Sequence, residues 1–180
     1  MTEPATATER RGMLTGLFPD KESSEGAYRS LRERGYSDDD INVIMSDDTR
    51  KKYYGDGKTD TDLGNKAAEG MGYGSAIGGT LGAIIGGIAA LGTNLVLPGV
   101  GLVVWGPIAA ALAGAGAGAT AGGWTGALIG AGIPEDRAKE YEEGVKNGGT
   151  FFGVTPKTPE DADYFENDWR DNYGGQNIYR

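Results

Sequence analysis

The chain has 180 residues, of which 33 are glycine, and a formal net charge of -9. This acidic balance offers no basic surface for a nucleic-acid backbone, so no nucleic-acid partner is expected. The sequence contains neither cysteine nor histidine, which excludes disulfides, thiolate metal sites and histidine-based catalysis. No metal, cofactor or enzymatic activity is predicted.

The charge is distributed unevenly along the chain. Residues 70–134 contain no Asp, Glu, Lys or Arg, and the flanks 1–69 and 135–180 carry all of the charge. The first residues contain no apolar run, so no cleavable secretory signal is expected, and residues 1–11 are predicted to be a disordered tail.

Residues 12–48 are predicted to form a strand, a helix and a second strand. The run "GMLTGLF" and the β-branched run "INVIMS" are typical of strands. Between them, Asp20 is placed to cap a helix that ends at Gly35, and Ala27 and Leu31 share one face of it. Asp38, which opens three adjacent aspartates, is expected in a solvated turn, because adjacent carboxylates cannot all face one cation.

Residues 49–69 are predicted to be a polar linker. Thr61 or Asp62 is placed to cap a helix that runs on into the glycine-rich middle. Residues 56–64 alternate oxygen-bearing side chains but do not place glycine and a final glutamate in the order of a calcium loop, so no calcium site is predicted.

Residues 70–133 are predicted to form a glycine-zipper helical hairpin. The first helix spans about 71–91 and the second about 106–131, with Pro107 in its first turn and a turn at Pro98 and Gly99 between the two helices. Each helix carries small residues at a spacing of four: Gly74, Gly78, Gly82 and Gly86 in the first, and Gly106, Ala110, Gly114, Gly118, Gly122, Gly126 and Gly130 in the second.

These eleven residues are predicted to be a helix-packing and oligomerisation surface. Each interior glycine costs about 1 kcal/mol of helix stability relative to alanine, so such stripes form stable helices only when they are packed. Small residues let two helix backbones approach closely, which favours inclined right-handed crossings.

The predicted helices also have apolar faces that something must cover. These faces carry Ile77, Leu81, Ile84, Ile85 and Ile88 in the first helix and Ile108, Leu112, Trp124, Leu128 and Ile129 in the second. Another copy of the chain, a lipid bilayer or the chain's own sheet are the three candidates. Helices of about 31 and 37 Å are long enough for a bilayer core of about 30 Å, and Tyr73 and Trp105 lie near the segment ends, where interface aromatics are common.

Residues 134–180 are predicted to contain a lead-in helix over 134–148 followed by a second strand-helix-strand half. Thr158 and Pro159 form a strong helix start, and Phe165 and Trp169 share one face of that helix with Ala162. A closing strand is expected at 177–180. Two such halves in one sheet predict an α+β ferredoxin-like sandwich, with the glycine-zipper hairpin inserted between the halves.

The layout resembles a known group of bacterial proteins. The stretches that carry the resemblance are "GLFPDKESSEGAYRSLRERGY", the uncharged glycine-zipper middle and "GIPEDRAKEYEEGVKNGGTFFGV". They resemble the general stress protein 17M-like and heat-induced stress protein families with a central glycine-zipper segment. The resemblance implies a stress-associated cytoplasmic protein, and it implies no catalytic residues.

The leading hypothesis is therefore a non-enzymatic, stress-associated protein that assembles into a homo-oligomer through its glycine-zipper hairpin. The alternative is a membrane-inserted hairpin that forms an oligomeric scaffold or pore, with the bilayer as partner and a membrane-associated location. A third hypothesis is a binding module that uses the sheet of the ferredoxin-like domain for a small ligand or a partner.

Overall fold

The structure is a computed structural model that describes residues 12–55, 61–65, 95–97, 101–109 and 124–180. The predicted tail at 1–11 lies outside these residues. The strands are β1 (Leu14–Phe18), β2 (Ile41–Ser46), β3 (Leu95–Leu97), β4 (Leu102–Trp105), β5 (Thr150–Val154) and β6 (Gln176–Tyr179). The helices are α1 (Lys21–Glu33), α2 (Asp47–Tyr54), α3 (Thr125–Gly130), α4 (Glu135–Lys146) and α5 (Pro159–Asp171).

The six strands form one sheet in the order β3-β4-β2-β5-β1-β6, and all paired neighbours are antiparallel. β1 and β2 both pair with β5, so they run parallel to each other and α1 connects them. In the same way β5 and β6 both pair with β1, and α5 connects them. The two strand-helix-strand units are thus interleaved in one sheet, which confirms the predicted α+β class.

Helices cover both faces of this sheet. On the first, the α1–α5 face, Phe18 meets Phe152 and Trp169 edge-on, with ring centres 5.1 and 5.3 Å apart. On the second, the α4 face, Tyr141 meets Phe151 edge-on at 4.7 Å. Successive strand side chains point to opposite faces of a sheet. Because helices cover both faces here, all residues of β1, β4 and β5 are buried.

The caps that the sequence predicts for α1 and α5 are present. The side chain of Asp20 accepts from Ser23 N–H at 2.9 Å, and that of Thr158 accepts from Asp161 N–H at 3.0 Å. Gly35 follows α1 with a φ of +79°, the left-handed conformation that favours glycine at a helix end. Both helices therefore begin where their sequences indicate.

The region predicted as a linker contains helical structure. Helix α2 follows β2 directly, because Ser46 caps it by accepting from Thr49 N–H at 3.0 Å. Tyr54 at its end is buried in the core of the α1–α5 face. Residues 49–54 therefore belong to the folded domain, and a linker over all of 49–69 is wrong at its start.

A polar cluster joins the end of α1 to the start of α5. The Tyr36 hydroxyl donates to Asp161 Oδ2 and accepts from Lys157 N–H, both at 2.7 Å. Arg34 also binds Asp161, at 2.5 Å, and its guanidinium lies 3.7 Å from the ring centre of Tyr164. This cluster ties the first strand-helix-strand unit to the second.

Alkaline pH is expected to weaken this junction. Burial raises the pKa of Tyr36 to about 12, and its hydrogen bond to Asp161 adds to the rise, although the Lys157 N–H opposes it. Above pH 10 the unfolded chain loses this proton before the folded protein does, so stability falls as pH rises from 10 to 12. We expect Tyr36→Phe to unfold at lower urea at pH 9 and to lose less stability between pH 9 and 11.

The slope should decrease in this variant without vanishing, because burial also raises the pKa values of Tyr28, Tyr54 and Tyr141. Equal losses of unfolding free energy between pH 9 and 11 in the wild type and in Tyr36→Phe would contradict this account of the junction.

Candidate functional site

The candidate site is the uncharged segment 70–134 and its attachment to the sheet. Three of the eleven predicted packing residues, Gly106, Gly126 and Gly130, lie within the described residues. The other eight lie outside them: Gly74, Gly78, Gly82, Gly86, Ala110, Gly114, Gly118 and Gly122.

A β-hairpin stands in the middle of the segment, where the sequence predicts only a turn between two helices. Leu95 pairs with Val104 and Leu97 with Leu102, so β3 and β4 run antiparallel. β4 also pairs with β2, which extends the sheet on that side. The runs "LVL" and "LVVW" on either side of Pro98 carry the strand signal. This signal is masked in the sequence, because the surrounding Gly/Ala pattern indicates helix.

Trp105 ends β4 and is buried in the core of the α1–α5 face. If the hairpin were inserted in a bilayer, the sequence would place Trp105 at the membrane interface. In the structure its ring packs within the domain.

Gly106 lies at the junction of β4 and the following helical turn at 107–109. Its φ is +90°, and a Cβ at this position would lie 2.1 Å from the Ile41 carbonyl oxygen. A glycine is required here by the backbone path, so Gly106 is outside the predicted helical stripe. Pro107 then begins a helical turn whose Ile108 and Ala109 are buried on the α4 face.

The segment returns to the sheet at Trp124. Trp124 and Leu128 are buried in the α4-face core, together with Ile133. Leu128 N–H donates to the Trp124 carbonyl at 3.1 Å, and α3 begins after Trp124, which itself lies in a turn. A single unbroken helix over 106–131 is therefore wrong, because Gly106 has a left-handed φ and Trp124 lies just outside α3.

Side-chain contacts hold α3 against α4. Thr125 donates to Glu142, which also pairs with Lys146. The hydrogen bonds from Lys146 and Thr125 hold the pKa of Glu142 below its usual range. Glu142 is therefore ionised at neutral pH and links the end of the uncharged segment to the charged helix that follows.

The predicted apolar face of the second helix is divided between the core and the surface. Ile108, Trp124 and Leu128 pack on the chain's own sheet, whereas Ile129 is 42% exposed. Gly126 and Gly130 have no atom of the described chain within 4 Å of the place where a Cβ would lie. Leu112 and the predicted apolar residues of the first helix lie outside the described residues.

The N-terminal side of the segment is attached on the opposite face. Thr61 accepts from Gly64 N–H at 3.2 Å, which agrees with its predicted capping role, and its hydroxyl donates to Glu25 of α1 at 2.9 Å. Leu63 is buried in the core of the α1–α5 face. The segment is therefore attached at three places. Residues 61–65 lie on the α1–α5 face, β3 and β4 lie at the sheet edge, and Ile108 and Trp124 lie on the α4 face.

Polar groups of the turn between α1 and β2 form hydrogen bonds within the fold. Asp40 accepts from both the backbone N–H and the hydroxyl of Ser37 at 2.8 Å, and these bonds hold the pKa of its carboxyl below the usual range. Asp38 accepts from the buried Tyr28 hydroxyl. Across 12–55, 61–65, 95–97, 101–109 and 124–180 the structure contains no group of three acidic side chains arranged to hold a metal ion.

Among the described residues no helix combines the length and apolar character needed to cross a membrane. Comparison of the chain with protein family models, with curated proteins and with solved structures finds no match.

Truncation of Leu128 is expected to loosen α3. Leu128 is fully buried, so Leu128→Ala should lower the free energy of unfolding by about 2–5 kcal/mol. Its neighbour Ile129 is exposed and provides the control, since Ile129→Ala should change stability by less than about 0.5 kcal/mol. Urea unfolding of both variants measures this, and similar values for the two would contradict the docking of α3 described above.

A side chain at position 106 is expected to disrupt the exit from β4. Gly106→Ala combines a left-handed φ with a backbone clash and should cost about 2 kcal/mol or more. Gly101 has a φ of +68° but open space around it, so Gly101→Ala should cost only about 1 kcal/mol. Chemical denaturation of the pair separates the clash from the φ penalty, and equal losses would show that the contact with Ile41 is not tight.

Proposed function

We propose that this chain is a non-enzymatic structural protein that assembles into a homo-oligomer through the two glycine-rich parts of its uncharged segment. The observation that carries the proposal is the register of the β3–β4 hairpin. In the hairpin, Leu95, which lies after the first stripe, pairs with Val104, which lies just before the predicted second stripe.

The glycines of the two stripes lie at distances from this hairpin that differ by one position in each pair. Gly86 precedes Leu95 by nine positions, and Gly114 follows Val104 by ten. Gly82 and Gly118 are thirteen and fourteen positions away, and Gly78 and Gly122 are seventeen and eighteen.

Two glycine-rich parts joined by one hairpin, with small residues at nearly matching distances from it, favour antiparallel pairing of the stripes. Close backbone approach then supplies the dispersion and Cα–H···O contacts that offset the low helix propensity of glycine. A paired unit of this kind presents its larger apolar side chains outward, toward a second copy of the chain.

The edges of the sheet support assembly through the glycine-rich segment over assembly by strand addition. β3 is only three residues long. At the other edge, the pairing of β6 with β1 shifts register between Thr15 and Leu17, and Asn177 has a φ of +50°. Short and irregular edge strands discourage pairing between copies.

We propose that the domain that carries the segment is a ferredoxin-like sandwich. The order of the four strands β2-β5-β1-β6, with α1 and α5 packed in one core, supports this classification. In this description β3, β4 and the glycine-rich parts are inserted between the two strand-helix-strand halves. The layout resemblance to the heat-induced stress protein families adds the proposal of a stress-associated role in the bacterial cytoplasm.

The second candidate function is a membrane-inserted scaffold or pore. The observation that favours it is the absence of any charged residue from 70 to 134, because charged side chains are costly in the bilayer core. The oligomer and membrane hypotheses differ in whether protein or lipid covers the apolar side chains, so they are separable by experiment.

Bulky residues on the stripes are expected to disrupt assembly. In the variant with Gly78, Gly82, Gly118 and Gly122 changed to Leu, the stripes can no longer approach, so light scattering after size exclusion without detergent should show a lower mass. The matched control places leucine off the stripes, at Ala76, Ala83, Ala117 and Ala121, and should keep the wild-type mass. A monomeric wild type, or an unchanged mass in the stripe variant, would contradict the assembly proposal.

Flotation of the wild-type chain with phospholipid vesicles tests the second candidate on the same samples. Protein that rises with the vesicles and resists extraction by carbonate would favour the membrane hypothesis. Protein that stays in the dense fraction would contradict it.

A further inference from the structure

Asn42 is a buried polar residue in β2, where the other residues from Ile41 to Met45 are apolar and buried. It is 2% exposed and lies between Ile41 and Val43, whose side chains pack on the α1–α5 face. Strand alternation therefore points Asn42 to the α4 face, beside the apolar side chain of Ile44. A buried amide in such a place is stable only when its polar atoms are hydrogen-bonded.

The amide of Asn42 connects two distant parts of the chain. Its Oδ1 accepts from the backbone N–H of Ile108 at 2.7 Å, and its Nδ2 donates to the Gly153 carbonyl at 3.1 Å. Nδ2 also lies 3.9 Å from the sulfur of Met13. One side chain of β2 therefore binds both the neighbouring strand β5 and the start of the second glycine-rich part.

The Ile108 N–H belongs to the first turn of the helical segment that begins at Pro107. The first N–H groups of a helix have no partner within it, and a side chain at the preceding residue usually supplies one. Here the preceding residue is Gly106, which has no side chain. Asparagine is among the best capping residues, and in this protein it reaches the helix start from the sheet.

We propose that Asn42 is the positioning residue for the start of the second glycine-rich part: it caps the first turn from the sheet and holds the turn at 107–109 against the α4 face. Gly106 contributes the tight bend, because a Cβ at this position would clash with the Ile41 carbonyl oxygen and the Cα of Asn42. Ile108 and Ala109 contribute the buried contacts. The inference rests on the proposed function in one respect only, that the positioned segment is the one proposed to assemble.

A cysteine at position 109 reports local opening of this junction. The chain has no cysteine, and Ala109 is buried at 3% exposure, so Ala109→Cys introduces a single protected thiol. Its rate of labelling by a thiol reagent under native conditions measures how often the first turn detaches. We expect Asn42→Ala in this background to raise the labelling rate roughly tenfold, as for the loss of one buried hydrogen bond.

The matched control is Ser30→Ala. Ser30 donates a buried hydrogen bond to Asp168 at 2.5 Å between α1 and α5, away from the α4 face. It should lower global stability to a similar degree without changing the labelling of position 109. Equal labelling in Asn42→Ala and in the parent, or an equal rise in Ser30→Ala, would overturn the inference.

Hydrogen exchange of the wild-type chain provides a test that needs no variant to fold. The Ile108 amide should exchange slowly, because it donates to Asn42 in a buried site. Exchange at the rate of an unbonded amide would overturn the inference. Light scattering of the same samples separates this result from the proposed function. A monomeric wild type contradicts assembly, whereas the labelling and exchange results decide the role of Asn42.

Discussion

The fold depends on a sheet that must be covered on both faces. The strands β1, β4 and β5 are buried along their whole length, and each presents apolar side chains on both sides. A sheet covered on one side alone would expose half of these side chains to water, at about 25 cal/mol for each Å² of apolar surface. Helices α1, α2 and α5 close one face, and α4 closes the other together with α3 and the 107–109 turn.

The uncharged segment is consequently part of the domain as well as an insertion in it. Its described parts add two strands to the sheet and bury Ile108, Trp124 and Leu128 over the α4 face. The chain's own sheet is one of the three candidates that the sequence offers to cover the apolar side chains. For these residues the sheet provides that cover. The exposed Ile129 and the open sides of Gly126 and Gly130 belong to the same short helix.

Buried polar contacts define how the elements fit together. The Tyr141 hydroxyl donates to the Asn177 carbonyl at 2.6 Å and lies 2.7 Å from Thr15 Oγ1, which joins α4 to the β1 and β6 strands. Asn42 joins β2 to β5 and to the turn at 107–109, and Tyr36 joins the two strand-helix-strand units. Each such bond contributes only about 1 kcal/mol, but breaking one leaves a buried polar group without a partner. These contacts therefore favour one arrangement of the elements over other apolar packings.

Local signals in the sequence determined much of this protein. Asp20 and Thr158 mark helix starts, Gly35 marks a helix end, and the apolar runs mark β1, β2 and β5, because capping and side-chain periodicity act over a few residues. The sequence also determined that 70–134 is uncharged and regularly spaced in glycine. Tertiary structure alone decided that "LVL" and "LVVW" are strands, that Gly106 is needed for a bend against Ile41, and that Asn42 caps a helical turn far along the chain. The reason is physical: these features depend on which backbone groups meet across the sheet, and residues distant in sequence supply those partners.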